Sequence, residues 1–183
     1  GSVVLDDEEG TRIATAHLIG LGHRRIALIN GVASSDTARR REAGFRRASA
    51  DAGLSVDDDL ITRRGYEPRQ GAEALGALWE RPERPTAVVV AHINASYGVL
   101  AEARRLGVDV PADLSVMAIH DAWTADHAWP PLTTVRMPLR ELGATALRAV
   151  VENISSGVTV DAVVRDPAPV LVERSSTAPP RKT

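Results

Sequence analysis

Two imidazoles, one carboxylate and a run of guanidinium groups are the side chains of this sequence with the most chemistry to offer. His92 follows the apolar run Val88-Val89-Val90, and His120-Asp121 follows a second apolar run at residues 115–119. Ligands of open α/β sheets sit outside the carboxyl ends of the strands, so both positions mark a candidate site. If the two strands are sheet neighbours, His92, His120 and Asp121 converge on one mouth. A metal or acid–base centre is then one option, and neutral hydrogen bonding to a ligand is the other. No His-x-x-x-His spacing accompanies these residues, which favours neutral hydrogen bonding and no metal. Arg39-Arg40-Arg41 opens a helical stretch beyond another strand end. There one arginine of the three can turn into the crevice and bind hydroxyls, a carboxylate or a phosphate, with the other two at the surface. His23 reads differently, because Gly22 permits the left-handed turn that closes a helix and His23-Arg24-Arg25 lies near the negative end of that helix's dipole. A structural role is expected for it.

Several reaction classes are excluded by what is missing. With no Cys among 183 residues, disulfides, thiol nucleophiles and thiolate zinc sites cannot form. The sequence has no Gly-x-Ser-x-Gly elbow, no Walker lysine loop and no Gly-x-Gly-x-x-Gly turn. Twenty-two basic residues against 24 acidic leave a charge of -2, so the chain itself is not expected to offer a nucleic-acid-binding surface. No apolar run approaches the roughly 20 residues of a membrane-spanning helix.

The elements that must carry these residues alternate in type. Short apolar runs at 3–5, 26–29, 60–64, 87–90, 114–119, 133–136 and 169–172 read as strands, the last as an edge strand. Between them, helical spacing is read at 11–21, from Asp36 or Thr37 to 50, from Pro68 to 79, and from an Asn94 cap to 106. A further helix carries the stripe Leu139, Leu142, Ala146, Val150 and Ile154 and ends near Gly157. Strands alternating with helices of this length imply βαβ units, hence an α/β fold with a parallel doubly wound sheet. The run at 87–90 is apolar at every position, the pattern of a strand covered on both faces. Aromatics make up only 3% of a chain that is 44% hydrophobic, so aliphatic side chains and Ala must fill the core. The tail from Ser175, rich in Ser and Pro, is expected to be disordered.

Six segments, in order, resemble one family: VVLDDEEGTRIATAHLIGLGHRRIALING, RREAGF, PTAVVVA, GVDVPADLSVMAIHD, PPLTTVRMPLRELG and VLVERSST. Together they resemble the C-terminal part of LacI/GalR-type bacterial transcription regulators. The resemblance implies a two-lobed core like that of periplasmic binding proteins (type I), with a small effector, a sugar or sugar derivative, held between the lobes. It also implies a cytoplasmic homodimer that reaches operator DNA, as a repressor, through an N-terminal helix-turn-helix absent from this chain. Gly1-Ser2 reads as a cloning remnant. On this pattern residues 1–9 are the end of the first lobe and a crossover, 10–132 the second lobe, and 133–157 a segment returning to the first lobe. Residues 158–177 then hold the last strand and the return to the second lobe, and 178–183 are tail. The helix at 139–154 should expose an apolar stripe, and the helix at 94–106 with the Trp123 region should contribute to a dimer surface.

Carried over residue by residue, the resemblance places Arg41 on the family's effector-contacting arginine and Tyr66 where an aromatic stacks on the effector. His92 and Ile93 stand where Asn-Asp is common. His120 replaces the first acid of an Asp-Asp pair, whose second is matched by Asp121. These departures remove two acceptors that grip sugar hydroxyls, and an imidazole pair suits a carboxylate, a phosphate or a base-like ring. No cofactor and no membrane partner are implied. The alternatives are a periplasmic solute-binding protein for transport, which shares the core fold, and a hydrolytic or metal-dependent enzyme built on His92, His120 and Asp121.

Overall fold

The computed structural model describes residues 1–181. Its larger sheet has six strands: β2 (Ile26–Asn30), β3 (Ile61–Arg63), β4 (Ala87–Val90), β5 (Ser115–Ile119), β6 (Thr133–Arg136) and β8 (Val170–Val172), in the order β3-β2-β4-β5-β6-β8. The first five are parallel, and β8 closes the edge antiparallel to β6. A second, two-stranded parallel sheet pairs β1 (Ser2–Leu5) with β7 (Asp161–Val164). The α/β, mostly parallel architecture expected from the alternating pattern is therefore present.

Both faces of the larger sheet are covered, and single strands show why. Alternate side chains of a strand point to opposite faces. Ile29, Val88, Val90, Val116 and Ala118 pack with Leu75, Leu78 and Val99 of helices α3 (Pro68–Trp79) and α4 (Ile93–Arg105). Leu28, Val89, Met117 and Ile119 pack with Leu18 and Phe45 of helices α1 (Asp7–Gly20) and α2 (Asp36–Asp51). Every residue of β4 and β5 is buried. Each helix pair lies close because a glycine sits at the contact. A Cβ on Gly44 of α2 would lie 2.0 Å from the Glu8 carbonyl oxygen of α1, and one on Gly98 of α4 would lie 1.7 Å from that of Pro68 on α3.

Four local expectations are corrected. Helix α1 starts at Asp7, not residue 11, because Asp6 caps it through the Glu9 amide. Helix α4 is capped by His92, whose ring accepts from the Asn94 amide, and not by Asn94 itself. Residues 133–136 belong to the larger sheet as β6, so the chain leaves that sheet after Arg136, and the segment from 158 includes β7, which pairs with β1 and not with the larger sheet. The tail is ordered through Ala178. Ser176 is fully buried, its hydroxyl accepting from the Thr133 amide at 2.8 Å and donating to the Val116 carbonyl, while the Ala178 carbonyl accepts from His23 Nε2 at 2.8 Å. His23 has the structural role expected of it, buried between Thr86, Ser115 and this strap. For Lys182 and Thr183, the tail expectation lies outside the described residues.

Helix α5 (Leu139–Ser156) stands apart from the larger sheet and has no buried residue. Of the stripe read from its spacing, Leu139, Val150 and Ile154 are exposed, Ile154 to 80%, while Leu142 and Ala146 are half-buried, Leu142 against the core that holds Leu5 and Met137. Among the described residues, no helix is long and apolar enough to cross a membrane.

Candidate functional site

The chain runs from β2 to β3 on one side and then back across β2 to β4, so strand order reverses between β2 and β4. Such a reversal opens a crevice at the carboxyl ends of the two strands, the usual place for a ligand in a doubly wound sheet. Arg41, Tyr66, His92 and His120 all converge here.

At the base of the crevice lies a buried ion pair. Asp7 is 2% exposed in the first turn of α1, where the helix dipole favours a carboxylate. Its Oδ1 accepts from Arg41 Nε at 2.9 Å, and its Oδ2 from Arg40 Nη2 at 3.0 Å. Arg41 is the inward-turned arginine of the three, 3% exposed. Its Nη1 donates to the Ala91 carbonyl past the end of β4, and its Nη2 donates to His120 Nε2 at 3.0 Å. Arg40, expected at the surface, instead reaches the buried Asp7, and only Arg39 is fully outside. Gly44 makes this arrangement possible, since it lets α2 approach the first turn of α1 closely enough for both arginines to meet one carboxylate.

His120 is held in an unusual backbone. Its φ of 72° is the sole positive value at a non-glycine residue among those described. That region is costly for most side chains and more accessible to Asn, Asp and His, and such strain concentrates at functional positions. The kink at the end of β5 carries the ring toward Arg41. Burial, then the charge of Arg41, then His92 push the His120 pKa down to about 3, so the imidazole is neutral at physiological pH. His92 is also lowered, by burial first and then by Arg41, with Glu67 opposing.

The aromatic rings line up across the crevice. Tyr66 and His92 have ring centroids 5.6 Å apart, His92 and His120 5.2 Å in an edge arrangement, and the Arg41 guanidinium carbon lies 5.5 Å from the Tyr66 centroid. The Tyr66 ring lies against Gly31, where a Cβ would sit 2.2 Å from Cζ. Two polar atoms, Tyr66 Oη and His120 Nδ1, are buried without a hydrogen-bond partner.

Asp121 does not join this group. Its carboxylate faces β6, accepting from Thr134 Oγ1 at 2.8 Å, Arg136 Nη2 at 2.8 Å and Arg174 Nη1 at 3.0 Å. Burial opposes ionisation there, but those three partners outweigh it and hold the pKa below the usual carboxylate range. The expected convergence of His92, His120 and Asp121 is thus corrected to His92 with His120 alone. Among the described residues, no cluster of three or more His, Cys, Asp or Glu side chains is placed to hold a metal. The sequence reading missed Asp7 and Gly31. The signal for Asp7 was an acidic cluster directly after a strand; Gly31 gave the corresponding signal after β2.

Comparison with known proteins then sets this site in a family. A family model for the periplasmic binding protein-like domain matches residues 15–177. The HTH-type transcriptional regulator DegA of Bacillus subtilis is 38% identical over 142 residues, covering 78% of this chain and 42% of its own length. The HTH-type transcriptional repressor PurR of Erwinia tasmaniensis is 34% identical over 176 residues, covering 96% of this chain and 51% of its own. The chain therefore spans about half the length of the curated relatives it matches. The crystal structure of a LacI family transcriptional regulator from Mycobacterium smegmatis superposes with a TM-score of 0.96 at 46% identity, over 99% of this chain and 67% of that one. These relatives are regulators and not enzymes, and their likeness runs through the whole larger sheet that builds the crevice. The chain belongs to the LacI family of transcriptional regulators and carries part of their effector-binding core.

Proposed function

We propose that Arg41, Tyr66, His92 and His120 form one wall of the effector site of a DNA-binding repressor. Asp121 contributes by anchoring the strand end that carries His120. The observation that carries the reading is the buried Asp7–Arg41–His120 chain at the sheet's reversal point. It holds a neutral imidazole in a strained backbone with polar atoms left unpaired, features that cost stability and so point to function. The larger sheet with α1 to α4 forms one lobe, and β1, α5 and β7 are this chain's share of the other, with the crossings beside Asp6, beside Met137 and between Val164 and Val170. The exposed part of the α5 stripe is the face that other residues of that same lobe, the first, cover in the intact protein. Trp123 and Trp129, 75% and 85% exposed, mark with α4 the surface where a second copy docks.

Operator DNA is contacted by a helix-turn-helix upstream of these residues, in the cytoplasm. Effector acts by binding the two states of the lobes with different affinity. Calorimetric titration of the intact regulator with sugars, sugar phosphates, nucleosides and small acids tests the assignment. A ligand is expected whose affinity falls at least about tenfold in Arg41→Ala, in line with loss of the group that positions His120 and the β4 end. A ligand bound equally well by Arg41→Ala would show that the site lies elsewhere.

A further inference from the structure

The rings of the crevice have a fixed hydrogen-bonding polarity. A guanidinium can only donate, so the contact from Arg41 Nη2 makes His120 Nε2 the acceptor. A neutral imidazole carries its one proton on the other nitrogen, which makes His120 Nδ1–H a donor, and that atom is buried without a partner. His92 is set the opposite way. Its Nδ1 accepts from the Asn94 amide, leaving Nε2–H as a donor with no protein acceptor among the described residues. The Tyr66 hydroxyl, buried and unpartnered, is the third available proton.

The buried carboxylates and the carbonyl beside them are already engaged. Asp7 is occupied by Arg40 and Arg41, the Ala91 carbonyl by Arg41, and Asp121 by Thr134, Arg136 and Arg174. Glu67, exposed at the start of α3, is the one carboxylate left open here among the described residues, and it lies at the rim near His92, whose pKa it raises. A neutral polyol brings a proton with every hydroxyl, and in the buried corner only the Tyr66 oxygen could accept one, against three protons on offer. An oxyanion brings acceptors alone, and it would face Arg41, whose guanidinium shares the buried Asp7 with Arg40, itself also paired with Asp36.

Resting on the reading of this crevice as the effector site, we infer that the effector presents a carboxylate or phosphate oxyanion to the corner formed by His120, His92 and Tyr66. Two of the three donors are closed to solvent in the free protein, so the group must part the rings to reach them. Tyr66 is the ring that gives way. It sits between β3 and α3, next to Gly65 with its φ of 129°, and packs on the bare backbone of Gly31.

Two measurements on the intact regulator test this. Long-range proton–nitrogen spectra of its histidines near neutral pH should show His120 with the proton on Nδ1 and His92 with the proton on Nε2; the reverse tautomer at His120, or a charged ring, would remove the basis of the inference. The second measurement is titration with glucose, glucuronate and glucose 6-phosphate, which share a ring and differ in the anion, alongside inorganic phosphate and acetate. At least one oxyanion should shift the His92 and His120 resonances and bind at least about tenfold more tightly than glucose, with that preference lost in His120→Asn. Preference for glucuronate or for the phosphates identifies which oxyanion the site takes. Glucose that shifts the same resonances and binds as tightly as the acids would overturn the oxyanion inference but leave the effector site in place. No response of these resonances to any oxyanion would overturn it as well. Binding that leaves both histidines unperturbed and survives Arg41→Ala would instead refute the effector-site reading.

Discussion

Acid should unfold this protein through one histidine more than its surface charges would suggest, and His120→Asn should reveal how much. The folded-state pKa of His120 lies at about 3, whereas a free imidazole titrates near 6.5. A depressed pKa means that below 6.5 the unfolded chain binds a proton that the folded chain refuses. The associated stability is complete above about pH 6.5 and is lost as pH falls from there toward 3. At pH 5 the unfolded imidazole is favoured by protonation by RT ln(1 + 10^1.5), about 2 kcal/mol relative to pH 8. That value hardly depends on the folded pKa, because any value well below 5 leaves the native ring uncharged there. Asn is the right replacement, since it tolerates the left-handed backbone at this position and does not titrate. It loses the Arg41 contact, a constant offset. His17 and His23 are lowered in the same direction, chiefly by burial, but they are present in both proteins and cancel. Equilibrium urea unfolding followed by circular dichroism at pH 8, 7, 6 and 5 should therefore show the wild type losing about 2 kcal/mol more than the variant across this range. A difference between the two proteins that stays constant to within about 0.5 kcal/mol would refute the assignment of His120 as a buried neutral ring.

Two other substitutions test the framework around it. Asp7→Asn removes the shared counter-ion of Arg40 and Arg41 and leaves a buried guanidinium uncompensated, so it should cost about 3–5 kcal/mol in the same unfolding assay and uncouple α2 from α1. Ser176→Ala deletes the hydroxyl that accepts from the Thr133 amide and donates to the Val116 carbonyl. It should cost about 1–3 kcal/mol and raise amide hydrogen exchange at Thr133, whereas unchanged exchange there would mean the strap does not hold β6.

Much of the fold was legible because periodic burial is written locally. Ala87-Val88-Val89-Val90 is apolar at each position since both faces of β4 are covered, and Pro68 marks the start of α3 because its ring suits a first helical turn. His92 and His120 could be placed at one mouth because each directly follows such a run, and β4 and β5 are neighbours. Arg41 could be singled out as the inward arginine only with the family's pattern beside it, since three adjacent guanidiniums look alike in sequence.

What remained hidden depends on partners far apart along the chain. Asp7 meets Arg41 because α1 and α2 pack closely at Gly44, a geometry that no local pattern in the acidic cluster Asp6-Asp7-Glu8-Glu9 records. Asp121 looks in sequence like a partner of His120, yet the left-handed turn at His120 sends the two side chains different ways, and Arg174 and Arg136 claim the carboxylate beside β6. Ser175 onward reads as a loose tail because its bonds run to Ser115, Val116, Pro131 and Thr133, which the chain reaches only after folding. The sequence by itself determined the α/β layering and the strand ends that carry the imidazoles, consequences of local apolar period, and its six ordered segments carried the resemblance to the family. Only the tertiary structure decided which carboxylate serves which arginine, and hence that His120 is neutral, fixed in tautomer and left with a proton to offer.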